Sequence, residues 1–210
     1  MTVKLILTAA AYLLGCIPFG LVIYRIAEGK DIRQTGSGNI GATNVMRSGK
    51  KWQGILTLLL DGGKGALAVL LAKWVLDPAD PDYWMWVSIA GFAVVFGHIF
   101  TVFLRFKGGK GVAAGCGAYL ALMPLGTLTT LVVFVLAILV TRYVSLGSIL
   151  ATALFPLWGW LWGYGDGHMS VIWIGVCSAV LIVSMHHANI VRLLKGTENK
   201  LGHKRKPVDH

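Results

Sequence analysis

Residues 112–141 read VAAGCGAYLALMPLGTLTTLVVFVLAILVT, thirty residues without a charged side chain. A water-soluble fold cannot hide so long an apolar run, whereas a membrane-spanning helix needs about 20 apolar residues. As one helix the stretch would measure about 45 Å, well beyond the ~30 Å hydrocarbon core of a bilayer. Met123-Pro124-Leu125-Gly126 interrupts it with a proline and a glycine. We therefore predict two consecutive helices here.

The rest of the chain has the same apolar character. Of its 210 residues, 56% are hydrophobic and 13% are charged, where a soluble domain carries roughly 25% charge. The first apolar run has no strong cleavage site and is interpreted as a retained span. We predict one all-α integral membrane domain, 1–210, with seven transmembrane helices. Their predicted limits are 3–24, 54–76, 83–104, 112–123, 126–141, 148–164 and 169–194.

The placement of basic residues predicts the orientation. The formal net charge of +10 is interpreted as the positive-inside bias of a membrane protein and not as a nucleic-acid surface. With seven crossings, most of the 19 Lys and Arg residues fall on one side. They are Arg25, Lys30, Arg33, Arg47, Lys50, Lys51, Arg105, Lys107, Lys110, Arg142, Arg192, Lys195, Lys200, Lys204, Arg205 and Lys206. We therefore predict an external N-terminus and a cytoplasmic C-terminus.

The first basic segment contains a candidate anion site. Residues 36–47 read GSGNIGATNVMR, with the GxGxxG spacing of dinucleotide-binding folds but no preceding strand, so we do not predict such a fold. Glycines allow successive backbone N–H groups to point into one concavity that suits phosphate. The glycines of this segment are Gly36, Gly38 and Gly41. Further hydrogen-bond donors are supplied by the side chains of Ser37, Asn39, Thr43, Asn44 and Arg47. The alternative is a polar turn that only connects two spans.

The second basic segment, 105–113, reads RFKGGKGVA. It lacks the upstream glycine and the Ser/Thr of a Walker A loop. Two lysines and three glycines at the start of a helix nevertheless suit phosphate, because lysine supplies charge and the helix terminus supplies oriented N–H groups. The candidates are Gly108, Gly109, Lys110 and Gly111, with Lys107 less favoured. The alternative is that these lysines anchor a span at anionic headgroups.

Polar residues within apolar segments form the third group, since they are costly unless they face protein or water. Asp61 and Lys64 are three residues apart on one helix face and are predicted to pair. For His98, hydrogen bonding in the core is at least as well supported as a substrate role. Ser148, at the start of a predicted span, has an N-cap as its default interpretation.

His186 and Asn189, near the inner end of the last span, share a helix face at i and i+3, whereas His187 points away. Adjacent histidines make a poor metal site, so we predict no metal. Cys16, Cys116 and Cys177 lack metal-ligand spacing and indicate no disulfide.

Other chemistries fit less well. No Ser-His-Asp triad can be assembled, and the HxxxxD pair of a large class of glycerolipid acyltransferases is absent, because Phe103 and Val191 stand where the aspartate would be. The cationic segments suit one phosphate or two. A small transporter or channel for organic phosphate is the rival class, although no inverted repeat is evident. A scaffold protein would leave the polar segments unexplained.

Five motifs together resemble those of the bacterial acyl-phosphate:glycerol-3-phosphate acyltransferases, the PlsY family. They are 36–47, FKGGKGVA at 106–113, YVSLGSI at 143–149, HHANI at 186–190 and RLLKGTE at 192–198. The similarity extends from the first span to the tail. This chain departs from the usual pattern at His187-Ala188, where Arg-Glu is common, and at Gly62-Gly63 before Lys64.

The resemblance implies a seven-span bacterial inner-membrane enzyme with a cytoplasmic site. It would move a fatty acyl group from acyl phosphate to the sn-1 hydroxyl of glycerol 3-phosphate, giving lysophosphatidate and phosphate for phospholipid synthesis. No cofactor and no nucleic acid is expected; membrane lipid is a partner, and another enzyme must supply acyl phosphate. The expected catalytic residues are Ser37, Arg47, Lys110 and His186. The expected binding residues are Gly36, Gly38, Asn39, Thr43, Asn44, Gly108, Gly109, Gly111, Ser148 and Asn189.

Catalysis is expected to rest on positioning and electrostatics, because acyl phosphate is already an activated mixed anhydride. Lys110, Arg47 and glycine N–H groups would carry the phosphate charge. The hydroxyl proton would go to His186 or to a substrate phosphate oxygen, and the sequence favours neither.

Overall fold

The protein is described by a computed structural model that covers residues 1–202, so Lys204, Arg205 and Lys206 of the predicted basic tail lie outside the described residues. The predicted all-α class is confirmed over 1–202, where there is no strand. The helices are α1 Thr2–Cys16, α2 Phe19–Glu28, α3 Ala42–Arg47, α4 Lys51–Val75, α5 Tyr83–Ile99, α6 Val112–Leu122, α7 Pro124–Thr141, α8 Val144–Leu161, α9 Met169–Ser184 and α10 His187–Leu194. Short 3₁₀ turns lie at Ile32–Gln34 and Val102–Leu104.

Several of these helices have the length and apolarity of membrane spans. Five described stretches qualify, namely Thr2–Glu28, Lys51–Val75, Tyr83–Leu104, Pro124–Thr141 and Val144–Leu161. A sixth is obtained if α9 and α10, bent by 57° relative to each other, count as one span. Helix α6 has only 11 residues and is therefore about 16 Å long, shorter than the hydrocarbon core of a bilayer.

The predicted span 3–24 consists of two helices, α1 and α2, separated at Ile17-Pro18. Proline has no N–H to donate and its ring clashes with the preceding turn, which interrupts the helix. Two carbonyls at the break are satisfied by other parts of the chain. Thr101 Oγ1 donates to the Cys16 carbonyl at 2.7 Å, and Lys64 Nζ donates to the Ile17 carbonyl at 2.7 Å. The break is thus tied to α4 and to the end of α5.

Small residues allow α4 and α6 to pack backbone against backbone. A Cβ on Gly65 would collide with the Ala114 carbonyl, and one on Gly117 would collide with the Gly62 carbonyl. Close approach through small residues is a common way for helices to associate in membranes. The two helices consequently form one wall of the site described below.

Contacts between loops define the two ends of the bundle. At one end, Lys4 Nζ lies 2.6 Å from Asp80 Oδ2, which joins the N-terminus to the turn between α4 and α5. At the other end, the Leu201 amide donates to the Arg142 carbonyl at 2.7 Å, which joins the tail to the turn between α7 and α8. Lys4 and Leu201, near the two ends of the described part of the chain, therefore lie at opposite ends of the bundle.

Candidate active site

A cavity of about 810 Å³ lies at the tail end of the bundle and extends between the helices. Its mouth is polar and its inner part is mostly apolar. Most of the predicted site residues line it, namely Gly36, Ser37, Asn39, Thr43, Asn44, Arg47, Lys110, Gly111, Ser148, His186 and Asn189. The structure therefore brings four separate segments of the chain to one place. Gly38, Gly108 and Gly109 lie outside the residues that line the cavity.

The glycine-rich segment is shaped from within by Asn44. Its amide nitrogen donates to the carbonyls of Thr35 and Asn39 at 2.9 and 2.8 Å, and its Oδ1 accepts from the Ser37 amide at 2.9 Å. Gly36 has a φ of +63°, a conformation that favours glycine, and a Cβ there would collide with Asn44. Because the hydrogen-bonding groups of its side chain are bonded to the loop, Asn44 fixes the conformation of the loop. Ser37 of this loop lines the cavity.

The lysine segment is fastened to the end of α5. The amides of Gly108 and Gly109 donate to the carbonyls of Ile99 and His98 at 2.9 and 3.0 Å. A Cβ on Gly108 would collide with the His98 carbonyl. In this structure the two glycines therefore allow a close approach of backbones, and their N–H groups do not face the cavity. Lys110 follows them at the cavity mouth.

A hydrogen-bonded network joins Lys110 to the tail. Lys110 Nζ donates to Asn189 Oδ1, and Asn189 Nδ2 donates to Glu198 Oε1 at 2.9 Å. Ser145 Oγ donates to the same carboxylate oxygen at 3.0 Å, while Arg192 Nε donates to Oε2 at 2.7 Å. A single buried carboxylate thus orients side chains from α8, α10 and, through Asn189, the lysine segment.

The electrostatics of this network favour a bound anion. Burial raises the pKa of Glu198, but hydrogen bonds from Arg192, Asn189 and Ser145 outweigh it and hold the pKa below its usual value. Burial lowers the pKa of Lys110 to about 8; Glu198 opposes this, and the nearby Arg192 and Arg47 add to it. Lys110 is consequently still mostly protonated at neutral pH. Three cations face one carboxylate, which leaves a positive charge for a phosphate to neutralise.

His186 is buried where α9 bends into α10 and lines the cavity. Its Nδ1 lies 2.8 Å from the Ile182 carbonyl. Because a carbonyl only accepts, Nδ1 carries the proton, and Nε2 of the neutral ring is an acceptor. His187 is exposed, as the helical spacing predicts.

The interpretation of Ser148 as an N-cap is wrong. Helix α8 begins earlier than predicted, at Val144, so Ser148 lies in its second turn and donates to the Val144 carbonyl at 3.0 Å. Ser148 lines the cavity from that position. The predicted pairing of Asp61 with Lys64 is confirmed, since Lys64 Nζ lies 2.8 Å from Asp61 Oδ1.

Sequence reasoning assigned no site role to several residues at the cavity mouth. Glu198, Arg192, Asn199 and Ser145 line the cavity, and Arg47 Nη2 donates to the Asn199 carbonyl at 3.4 Å. Lys, Thr, Glu and Asn in a polar tail are usually solvated, so from the sequence the tail is a basic topology signal and part of the family resemblance, without a site role for its residues. One feature of the sequence could have indicated a site role for the tail: Glu198 is the only acidic residue of the segment RLLKGTE.

The apolar part of the cavity lies between α4, α6 and α7. Leu58 and Leu59 of α4, Leu120 of α6, and Leu131 and Phe134 of α7 line it. Leu59 is 64% exposed and Leu58 is 46% exposed, so this wall reaches the outer surface of the bundle. The site is therefore built for an amphiphilic molecule with an anionic group at the mouth and a hydrocarbon chain among the helices.

Comparison with known proteins agrees with this chemistry. The sequence model of the family described as Glycerol-3-phosphate acyltransferase matches residues 5–196. A glycerol-3-phosphate acyltransferase of Trichlorobacter lovleyi is 48% identical over 200 residues, which cover 95% of this chain and 98% of the relative. One of Geobacter sulfurreducens is 47% identical over 197 residues, which cover 94% and 97%.

Two crystal structures of PlsY, an integral membrane glycerol 3-phosphate acyltransferase, have the same fold. The glycerol 3-phosphate form has a TM-score of 0.86 and 41% identity, covering 95% of this chain and 96% of that chain. The lysophosphatidic acid form has a TM-score of 0.83 and 39% identity, covering 95% of each chain. From its sequence, its fold and its cavity, this chain belongs to the glycerol-3-phosphate acyltransferase family as an integral membrane protein of the PlsY type.

Proposed function

We propose that the protein transfers a fatty acyl group from acyl phosphate to the sn-1 hydroxyl of glycerol 3-phosphate, forming lysophosphatidate and inorganic phosphate for phospholipid synthesis. The observation that carries this proposal is the network of Lys110, Asn189 and Glu198, set beside an apolar cavity that reaches the surface of the bundle. The similar PlsY structures in glycerol 3-phosphate and lysophosphatidic acid forms support the assignment of acceptor and product.

In the proposed reaction the acceptor hydroxyl oxygen forms a bond to the acyl carbonyl carbon, and the bond from that carbon to the phosphate oxygen breaks. Arg47 and Lys110 stabilise the charge of the phosphate groups, and Ser37 and Thr43 supply neutral donors. The hydroxyl proton passes to His186 Nε2 or to a phosphate oxygen of a substrate. The protein mainly brings the two substrates together, which lowers the entropic cost of the reaction.

The proposed donor is acyl phosphate and not acyl-CoA. The polar mouth of the cavity is formed by residues of the segment 36–47, by Lys110 and Gly111, by Val144 and Ser145, and by the tail. A CoA donor would require a further concave pocket for its nucleotide, because ligands of that size are mostly buried when bound. Acyl phosphate requires only a phosphate site beside an apolar groove.

The donor proposal predicts that purified protein releases inorganic phosphate from acyl phosphate only when glycerol 3-phosphate is present. With donors of matched chain length in the same detergent, kcat/KM for acyl-CoA is expected to be at least ~100-fold lower, the size of two lost charged contacts. Initial rates at saturating glycerol 3-phosphate measure this. Comparable kcat/KM values for the two donors would contradict it.

We further propose seven crossings of the bacterial inner membrane, with the N-terminus outside and the site on the cytoplasmic side. In support, the described chain ends lie at opposite ends of the bundle, which requires an odd number of crossings. The tail and the basic segments lie at the same end, which the positive-inside rule assigns to the cytoplasm. Acyl phosphate would then come from a cytoplasmic or membrane-associated enzyme that makes it.

The topology is tested by labelling single cysteines in a variant whose native cysteines are replaced. An impermeant thiol reagent added to intact cells is expected to modify Ala79→Cys, in the turn before α5, and to spare Lys51→Cys, at the start of α4. After permeabilisation both positions should react. Modification of Lys51→Cys in intact cells would refute the proposed orientation.

A further inference from the structure

A cluster of three buried polar side chains lies at the inner wall of the cavity, where Asp61 and His98 line it and Lys64 lies behind them. Asp61 and Lys64 of α4 are 2% and 3% exposed, and His98 of α5 is 4% exposed. Lys64 Nζ lies 2.8 Å and His98 Nδ1 lies 3.5 Å from the same oxygen, Asp61 Oδ1. Ionisable groups within an apolar bundle are costly, so the presence of three of them in contact calls for a role.

His98 connects the cluster to the lysine segment. Its carbonyl accepts the Gly109 amide at 3.0 Å, and its ring lies so close to Gly109 that a Cβ there would collide with Nε2. The residue after Gly109 is Lys110, whose ammonium group reaches the cavity mouth. A change in the tilt of the His98 ring would therefore move the backbone that carries Lys110.

Lys64 connects the same cluster to the glycine-rich segment. Its ammonium group donates to the Ile17 carbonyl at 2.7 Å, at the break that precedes α2. Helix α2 then packs so tightly on the next segment that a Cβ on Gly20 would collide with the Ile40 carbonyl. Ile40 belongs to 36–47, the segment that presents Ser37 and ends with Arg47. The position of α2 therefore sets the position of that segment.

We infer that Asp61, Lys64 and His98 are positioning residues that hold the two phosphate-binding segments, 36–47 and 105–111, in one fixed relation. Arg47 and Lys110 repel each other, and they can act on one phosphate only if a rigid support holds them at the correct separation. Asp61 provides the support because it attracts the side chains that lead to both segments. This inference rests on the proposed phosphate chemistry of the cavity and extends it to the residues that hold the two phosphate-binding segments in place.

The first test removes both charges of the cluster together. Removing only one would leave an unpaired buried charge, which strongly destabilises proteins. In the variant Asp61→Asn/Lys64→Gln, the dissociation constant for inorganic phosphate is expected to rise by about 10- to 100-fold, the size of one lost charged contact. The control is Ser88→Ala, which should bind phosphate like the wild type. Ser88 is buried on α5, and its hydroxyl donates to the Trp84 carbonyl of the same helix. Unchanged phosphate affinity in the folded double variant would overturn the inference.

The second test uses a double-mutant cycle, which also serves if the first variant does not fold. His98→Gln is expected to weaken phosphate binding about 10-fold in the wild-type background and to have little further effect when Lys110→Ala is present. A purely structural role would produce the same loss in both backgrounds, and that additivity would overturn the inference. Because inorganic phosphate is the probe, the outcome is distinguishable from a failure of the proposed donor, which would appear as binding of phosphate without turnover of acyl phosphate.

Discussion

Arg47→Ala and Lys110→Ala are each expected to lower kcat/KM for glycerol 3-phosphate by about 10- to 150-fold, because a hydrogen bond to a charged group contributes about 1.5 to 3 kcal/mol. Both side chains line the cavity mouth, and neither is part of the buried bundle core. The folded protein should therefore be recovered at wild-type yield. Phosphate release at varied glycerol 3-phosphate concentration measures the effect.

Lys107→Ala is the matched control, because Lys107 is an exposed lysine of the same segment and lies outside the cavity lining. A large loss with Lys107→Ala and none with Lys110→Ala would refute the assignment of the phosphate lysine.

The pH dependence gives a second measure of the same residue. The pKa of Lys110 is lowered to about 8, so the charged form is lost as the pH rises through that value. For wild type, kcat/KM should fall above about pH 8, and Lys110→Arg should move this fall to higher pH. An unchanged profile in Lys110→Arg would show that another group titrates.

Glu198→Gln is expected to cause the other large loss, again about 10- to 150-fold in kcat/KM, since its carboxylate accepts from Arg192, Asn189 and Ser145. The substitution keeps the size of the side chain but replaces one acceptor oxygen by a donor, which opposes the donors around it. Asn189 would then lose its fixed orientation and with it the contact to Lys110. Steady-state kinetics together with thermal unfolding separate this loss from a loss of stability.

The control is Glu28→Gln. Glu28 is hydrogen bonded to Gln53 and paired with Lys50, and it lies outside the cavity lining. The Glu28→Gln variant should retain near wild-type kcat/KM. Equal losses in the two variants would indicate a general effect of removing a carboxylate and would contradict the role given to Glu198.

The sequence alone was sufficient for the features that depend on local composition. Uncharged runs such as 112–141 can be stable only in a membrane, so the helical class and the break near Pro124 follow directly from the chain. The proposed phosphate chemistry also comes from local composition, because glycines beside Arg47 and Lys110 are the residue types that bind anions. The family motifs are contiguous segments and can therefore be recognised without a structure.

Only the tertiary structure decided how these segments meet. Glu198 is 53 residues from Ser145 along the chain, yet the two are hydrogen bonded. A polar tail has no local sequence pattern that predicts a buried carboxylate. The sequence suggested that the amides of Gly108 and Gly109 bind phosphate, but in the structure they donate to carbonyls at the end of α5. Helix packing sets such pairings through contacts between distant residues, whereas composition and periodicity report only on neighbours along the chain.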